Sequence, residues 1–293
     1  MTDSLCDVLS TDPFAPVWFF AGSFVDEARR ILYVATPKVA CSSVKYFMRS
    51  LVTDGPLVFN ATRPETKLTM MIHDRPQFPL PSLMHFSPER VDEIVTGEGW
   101  FRFCVVRHPI ERFFSAWRDK IFLCEPGFEA YLPAGGRAFV EFRDFLDRVV
   151  TTESARNCET HWRSQVTLLR PDQIDYTRIY DLGTITELAA DLARHLAIVD
   201  PSMQAPSLER QNQGYPISSA GFLSADVIAR LRDFYDADFQ RFGFAELKPP
   251  EGPVVTGASL VSPFTNAIWD RNRVIAIHNL AAVRRDQAAS DQA

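Results

Sequence analysis

A chain of 293 residues, 46% hydrophobic and 23% charged, holds enough apolar material for one full core. Its formal net charge of −6 excludes a broad nucleic-acid-binding surface and leaves room only for a local basic pocket. No apolar run approaches the roughly 18 residues of a membrane span. The N-terminus has no basic n-region, and the five cysteines lack CxxC spacing, which argues against a secretory leader, a zinc site or a disulfide scaffold and fits a reducing, cytoplasmic setting.

In chain order, residues 1–27 read as a lead-in, with Trp18-Phe19-Phe20 a candidate edge strand. Ile31-Leu32-Tyr33-Val34-Ala35 is a short apolar run expected to be a buried strand. Val44, Phe47, Met48, Leu51 and Val52 then recur with helical spacing. The loop between them, Thr36-Pro37-Lys38-Val39-Ala40-Cys41-Ser42-Ser43, therefore lies at a helix N-terminus, where free N–H groups and the dipole favour anions. Lys38 adds a mobile cation, and Ser42 and Ser43 add hydroxyl donors. The loop reads as a phosphate or sulfate cradle, or else as an ordinary strand-to-helix turn with a surface lysine and a serine cap. It has no glycine, unlike the GxxxxGK[ST] loop of nucleotide triphosphatases.

Residues 53–81 carry Pro56, Pro64, Pro76, Pro79 and Pro81 and no clean period. Arg63, Lys67, His73 and Arg75 lie there, either as solvated loop charge or as a flap over an acceptor. Ser82–Phe86 is a strand candidate, and Ser87-Pro88-Glu89 has the signature of a helix start. That arrangement puts His85 at a strand's carboxyl end, the edge where open α/β sheets bind ligands.

Phe101–Arg107 is the next strand, followed by a helix whose buried stripe is Ile110, Phe113, Phe114, Trp117 and Ile121. Glu111, Arg112, Ser115, Arg118 and Asp119 fall on its other faces. Arg107 ends its strand at the same edge as Lys38. With Ser115 it suits a second phosphate, the alternative being a surface ion pair beside a tolerated serine. Residues 123–137 form a loop, and Phe139, Phe142, Phe145, Leu146 and Val149 mark another helix. Further along come the polar segment Cys158–Gln165, an alternating strand Ile174–Tyr180, and a helix from the capping box Thr184–Glu187 to about Ala197. Residues 200–223 are irregular. Ser224 caps a last helix that stops at Gly243, and beyond Pro249-Pro250 lies a tail with one candidate helix, Ile268–Val283, and a terminus expected to be disordered.

Two of these anion sites stand in a recognisable order. Thr36–Ser43 resembles the 5′-phosphosulfate loop of Golgi-type carbohydrate sulfotransferases. Arg107-His108-Pro109-Ile110-Glu111-Arg112-Phe113-Phe114-Ser115 resembles their 3′-phosphate motif, and His161-Trp162-Arg163-Ser164-Gln165 resembles the HWxPQ segment of the chondroitin and HNK-1 branch, with Ser164 in place of the usual Pro. Ile174–Asp181 and Leu223–Phe244 are similar to the family's later strand and final helix. The likeness spans roughly residues 28–245. It implies an α/β fold with a P-loop-like parallel sheet flanked by helices, a sulfotransferase domain over 28–248 and a tail over 249–293. The membrane anchor of the Golgi members has no counterpart here, which makes the chain resemble a soluble, bacterial-type relative.

The resemblance implies 3′-phosphoadenosine 5′-phosphosulfate (PAPS) as co-substrate, no metal, and an acceptor hydroxyl, with carbohydrate the family expectation. Pro37, Lys38, Val39, Ala40, Cys41, Ser42 and Ser43 would hold the 5′ end, with Lys38 neutralising the leaving oxygen. Arg107 and Ser115 would clamp the 3′-phosphate, and Arg210 and Asn212 would close over the nucleotide. His85 is the first candidate for the base that deprotonates the acceptor, with His161 and Glu111 as alternatives. Phe78, Phe128 and Tyr131 would suit a sugar ring. Two other readings compete: a P-loop-like kinase and a non-catalytic nucleotide- or glycan-binding module. Neither a nucleic-acid partner nor a transmembrane segment is expected.

Overall fold

The computed structural model describes residues 22–57, 72–73, 78–132, 139–152, 159–211 and 216–290, with side chains up to residue 277. Trp18–Phe20, Arg63, Lys67, Arg75, Cys158 and Asn212 lie outside these residues.

The sheet has four strands in the order β1 (Ser23–Asp26), β2 (Ile31–Val34), β3 (Phe101–Val106) and β4 (Arg178–Asp181). β2, β3 and β4 run parallel, and β1 is an antiparallel edge added by a tight turn, ahead of residue 28. The expected parallel sheet is thus present with one antiparallel strand. Every residue of β2 and β3 is buried, because helices cover both faces; that is why these strands read as continuous apolar runs.

On one face, Ile31, Tyr33, Phe103 and Val105 pack against α1 (Cys41–Ser50). On the other, Leu32, Val34, Cys104 and Val106 meet α2 (Pro88–Thr96), whose Ser87 cap and Pro88 start match the sequence expectation. β3 leads into α3 (Pro109–Ala116), which continues as a π-helical turn, Trp117–Phe122. These residues found a second core with α4 (Phe142–Thr151) and the buried Trp162, which precedes the short α5 (Gln165–Leu169). After β4, α6 (Leu188–Val199) joins α1 against the first face of the sheet. α7 (Ala225–Phe234) and α8 (Asp236–Phe242) complete the second core, and Gly243 at φ 66° ends α8 as the C′ glycine.

Four expectations need correction. Leu83–His85 is a single 3-10 turn, not a strand; its backbone leaves the edge of β1 after Pro81 O accepts from Val25 N. Thr184 makes no side-chain cap: Ile185–Glu187 forms a 3-10 turn, and α6 proper starts at Leu188. Phe139 precedes α4 and stacks on Trp269 instead of lying within the helix. The tail helix α9 runs over Pro263–Ser290, longer than its apolar pattern indicates. It docks on its own core, where Trp269 Nε1 donates to Phe122 O at 2.7 Å and Asn272 Nδ2 to Leu123 O at 2.7 Å. No described helix is long and apolar enough to cross a membrane.

Candidate active site

The parallel register places Val34 beside Cys104, so the loops after β2 and β3 leave the same sheet edge side by side. Between β2 and α1 the backbone enters the left-handed region twice, at Lys38 (φ 70°) and Ala40 (φ 63°). Neither residue is glycine, so each position costs roughly 1 kcal/mol of local strain that the surroundings must hold. Two arginines hold it. Arg112 Nε donates to Pro37 O at 3.0 Å, and Arg107 Nη1 donates to Lys38 O at 3.3 Å. With those carbonyls bound, the loop has the kind of backbone concavity that presents N–H groups to an anion. Ala40 is the N-cap of α1 but offers no side-chain cap, which leaves the first amides of the helix for another acceptor. The Thr36 hydroxyl at the loop's root is buried without a hydrogen-bond partner among the described residues.

Lys38 is the loop's cation, and its ammonium pairs with the Asp119 carboxylate from the π-helical turn. That turn widens the helix by one residue and aims Asp119 back at the loop, a distortion often found at functional sites. Burial pushes the Lys38 pKa down against the pull of Asp119. Burial would raise Asp119, but Lys38 and Arg118 outweigh it and hold the carboxyl at about 2. The pair is therefore charged at neutral pH. Arg118 Nε also reaches Asp119 at 2.6 Å, and its Nη2 reaches Ser115 Oγ at 3.5 Å.

Arg118 links Arg107 to Ser115: its charge acts on Arg107, and its Nη2 lies 3.5 Å from Ser115 Oγ. Burial, and the nearby Arg118 and Arg112 charges, lower the Arg107 pKa, while Glu111 at 3.7 Å opposes them. The Arg107 and Arg118 guanidiniums, with the buried Ser115 hydroxyl beside Arg118, offer charged and neutral donors suited to an anion. The backbone of Arg107 is fixed by the side chain of Gln165, which accepts from Arg107 N at 2.9 Å and donates to Arg107 O at 2.8 Å.

Gln165 belongs to a tightly braced segment. Asp238 of α8, fully buried, accepts from Ser164 Oγ (2.6 Å), Gln165 N (2.9 Å) and Val166 N (2.9 Å), and so caps α5. The hydroxyl of Ser164 thus contributes a bond that a proline there could not. Arg112, also fully buried, donates to Arg163 O at 2.7 Å and to Thr160 O at 2.6 Å in addition to Pro37 O. One side chain therefore ties the 159–165 segment to the anion loop. Arg112, Asp119, Gln165 and Asp238 are the positioning residues that sequence reasoning did not assign. Arg112, Gln165 and Asp238 lie inside segments quoted for the resemblance, but Arg112 and Asp119 look like solvent-facing charges on a helix.

The remaining candidates divide. Ser42 Oγ pairs with His73 Nε2 at 2.9 Å, and Lys45 Nζ with His73 Nδ1 at 3.1 Å. Ser43 Oγ accepts from Gln211 N at 2.8 Å, which lays the 200–211 segment against the first turn of α1 while Arg210 stays exposed. Cys41 is a free, partly buried thiol at the start of α1. His85 is exposed, and its Nδ1 contacts Ser82 Oγ at 2.9 Å within its own turn. None of its described hydrogen bonds reaches Lys38, Arg107 or Ser115. Glu111 accepts from Ser219 Oγ at 2.6 Å and faces Arg107. Phe78 is buried against Phe24 at 4.3 Å between ring centroids, so it is a core residue and no wall for a sugar. Phe128 meets the edge of His161 at 5.3 Å and carries Lys120 over its face at 5.2 Å; Tyr131 packs on Trp162 at 5.0 Å. Among the described residues no group of His, Cys, Asp or Glu is arranged to hold a metal.

His161 stands beside this centre. Its Nδ1 lies 2.5 Å from Glu159 Oε1, and Glu159 Oε1 also accepts from His161 N at 3.1 Å. Burial pushes its pKa down to about 4; Glu159 opposes the shift, and Lys120 and Lys38 add to it. A folded pKa below the usual histidine value makes the unfolded chain bind the proton first. The stability this neutral histidine confers is complete above pH ~6.5 and is lost as the pH falls toward 4. We expect about 2 kcal/mol of stability to disappear from this source between pH 7 and pH 4.5. Urea midpoints at the two pH values should differ less in a His161→Asn variant than in wild type.

A sequence model of the sulfotransferase family matches residues 22–245. Carbohydrate sulfotransferase 10 of Xenopus laevis is 29% identical over 248 residues, covering 76% of this chain and 67% of its own. The human protein of that name is 26% identical over 246 residues, with 75% and 66% covered. Carbohydrate sulfotransferase 12 of Mus musculus is 29% identical over 256 residues, with 75% and 59% covered. The chain thus spans about two thirds or less of the length of these relatives.

Proposed function

This chain belongs to the sulfotransferase family, and from that premise we propose that it transfers a sulfuryl group from PAPS to a hydroxyl of a carbohydrate acceptor. The names of the relatives support the acceptor class. The observation that carries the donor assignment is the meeting of two groups of cationic side chains at one sheet edge. One is the Lys38 loop at the start of α1; the other is Arg107 with Ser115 and Arg118. ATP has no 3′-phosphate, so a second group of this kind would serve it nothing.

The residues present fit such a donor. The amides of Val39 to Ser43, free of a side-chain cap, would hold the 5′-phosphate. Arg107 and Ser115 would hold the 3′-phosphate, with Arg118 beside them. The donor supplies an electrophilic sulfur and a phosphate leaving group. Lys38 supplies a fixed positive charge for the oxygen on which negative charge grows, and supplies it from a buried position where water screens it little. Asp119 keeps the ammonium in place until then. Arg210, on the segment that Gln211 attaches to Ser43, is the described candidate for closing over the nucleotide, and Asn212 lies outside the described residues.

Calorimetric titration with adenosine 3′,5′-bisphosphate, 5′-AMP and ATP tests the reading. The bisphosphate should bind at least tenfold more tightly than either competitor. Arg107→Ala should weaken it by about 10- to 100-fold, the worth of one charged hydrogen-bonding partner, and should weaken 5′-AMP by less, through the lost restraint on Lys38 O alone. Equal binding of ATP would overturn the donor assignment.

A further inference from the structure

We propose that His161, oriented by Glu159, is the base that takes the proton from the acceptor hydroxyl. The inference rests on the sulfuryl-transfer reading above and adds the residue that reading leaves open.

Three observations carry it. First, His161 lies on the most firmly braced segment of the site. Arg112 holds the carbonyls of Thr160 and Arg163 on either side of it, and Tyr235 Oη donates to Trp162 O at 2.5 Å. Second, the contact between Nδ1 and Glu159 fixes the tautomer. With Nδ1–H donated to the carboxylate, the lone pair sits on Nε2, the arrangement a base requires. Third, the ring stands near the loop's cation and packs against the buried ring of Phe128. It lies close enough to Lys38 and Lys120 for both charges to act on it, and its edge meets Phe128. The side chain is 22% exposed, so a hydroxyl can approach it, whereas His85 is engaged with Ser82 in a separate turn.

The groups facing His161 are Glu159 on its own segment, Lys120 on the π-helical turn, Lys38 on the anion loop and His73 at residues 72–73. Burial disfavours a proton on the ring most, and Lys120 and Lys38 add to it, so the free protein keeps it neutral. An anion bound at Lys38 offsets part of that positive charge and makes His161 more basic when the donor is present. In the transfer step the acceptor O–H bond breaks and its electron pair forms the new O–S bond. The S–O bond to the donor phosphate breaks, its electron pair leaving on the phosphate oxygen. The proton goes to Nε2 of His161, and the charge that results is balanced by Glu159.

The test has a binding arm, a rate arm and a titration arm. Wild type, His161→Asn and Glu159→Gln are titrated with adenosine 3′,5′-bisphosphate. Transfer from radiolabelled PAPS is then followed to a chondroitin oligosaccharide and, without it, to water. His161→Asn should lower kcat by 10²- to 10³-fold and leave bisphosphate affinity within threefold of wild type. Glu159→Gln should lower kcat about tenfold and move the acid limb of kcat to lower pH, because the carboxylate favours the protonated ring. In an NMR titration, the His161 ring of wild type should protonate at higher pH with bisphosphate bound than without it. Unchanged kcat in His161→Asn, or a kcat that collapses in His85→Ala while His161→Asn retains it, overturns the assignment. So does a loss in His161→Asn matched by an equal loss of bisphosphate affinity, which would mark a structural role. Failure of wild type itself to prefer the bisphosphate would instead remove the donor reading, and this proposal with it.

Discussion

Lys38→Ala should lower sulfuryl transfer by about three orders of magnitude, the loss expected when a fixed cation is removed from a developing anion in a water-poor site. The substitution has a second consequence that must be separated from the first. The Asp119 carboxylate, held at about 2 largely by Lys38, would keep only Arg118 as a partner, and the fold would weaken. The double variant Lys38→Ala/Asp119→Asn removes the stranded charge. It should recover most of the lost thermal stability and none of the lost turnover. Radiolabel transfer and melting curves on the three proteins decide the matter: recovery of turnover in the double variant would show that Lys38 acts through folding and not through charge at the reacting centre.

Arg112→Met should destabilise the protein by about 3 kcal/mol, or roughly 6–12 °C in melting temperature for a domain of this size. The methionine fills much of the volume but donates nothing, so the carbonyls of Pro37, Thr160 and Arg163 each lose a hydrogen bond from a fully buried donor. Bisphosphate affinity should fall as well, because the restraint on Pro37 is part of what holds Lys38 in the left-handed region. Arg112→Lys should restore only a fraction, since a single ammonium cannot reach three carbonyls lying in different directions. A melting temperature within 2 °C of wild type for Arg112→Met would contradict this account.

The sequence carries the frame of the site clearly. The apolar run before Lys38 and the helical spacing after Ser43 require a strand, a loop and a helix, and the run before Arg107 requires a second strand. Parallel strands joined by helices end at one edge, so Lys38 and Arg107 follow as neighbours from the element order alone. Ser115 follows from helical geometry two turns beyond Arg107. These are local consequences of backbone periodicity and of the connection rules for parallel sheets.

The turn at Leu83–His85 shows where that logic stops. Ser82–Phe86 has a strand's composition, but after the Val25 N–Pro81 O bond to β1 its amides are drawn to the Ser23 side chain and to its own residues, so the ladder stops there. Lengths of apolar runs do not say whether backbone pairing with a neighbour continues. The same gap explains Phe78, an aromatic in a polar stretch that lies buried on Phe24.

By itself, then, the sequence determined the α/β frame, the strand–loop–helix around Lys38 and the two cationic positions, because each depends on residues near one another in the chain. Only the tertiary structure decided that Arg112 is fully buried, that Asp119 faces Lys38, that Gln165 clamps Arg107, and that Glu159 and His161 stand beside the loop. A charged side chain on a helix reads as solvent-facing until something covers it. What covers these is chain from 48 or more residues away, brought in by packing of the second core, and no local pattern of residue types records that meeting.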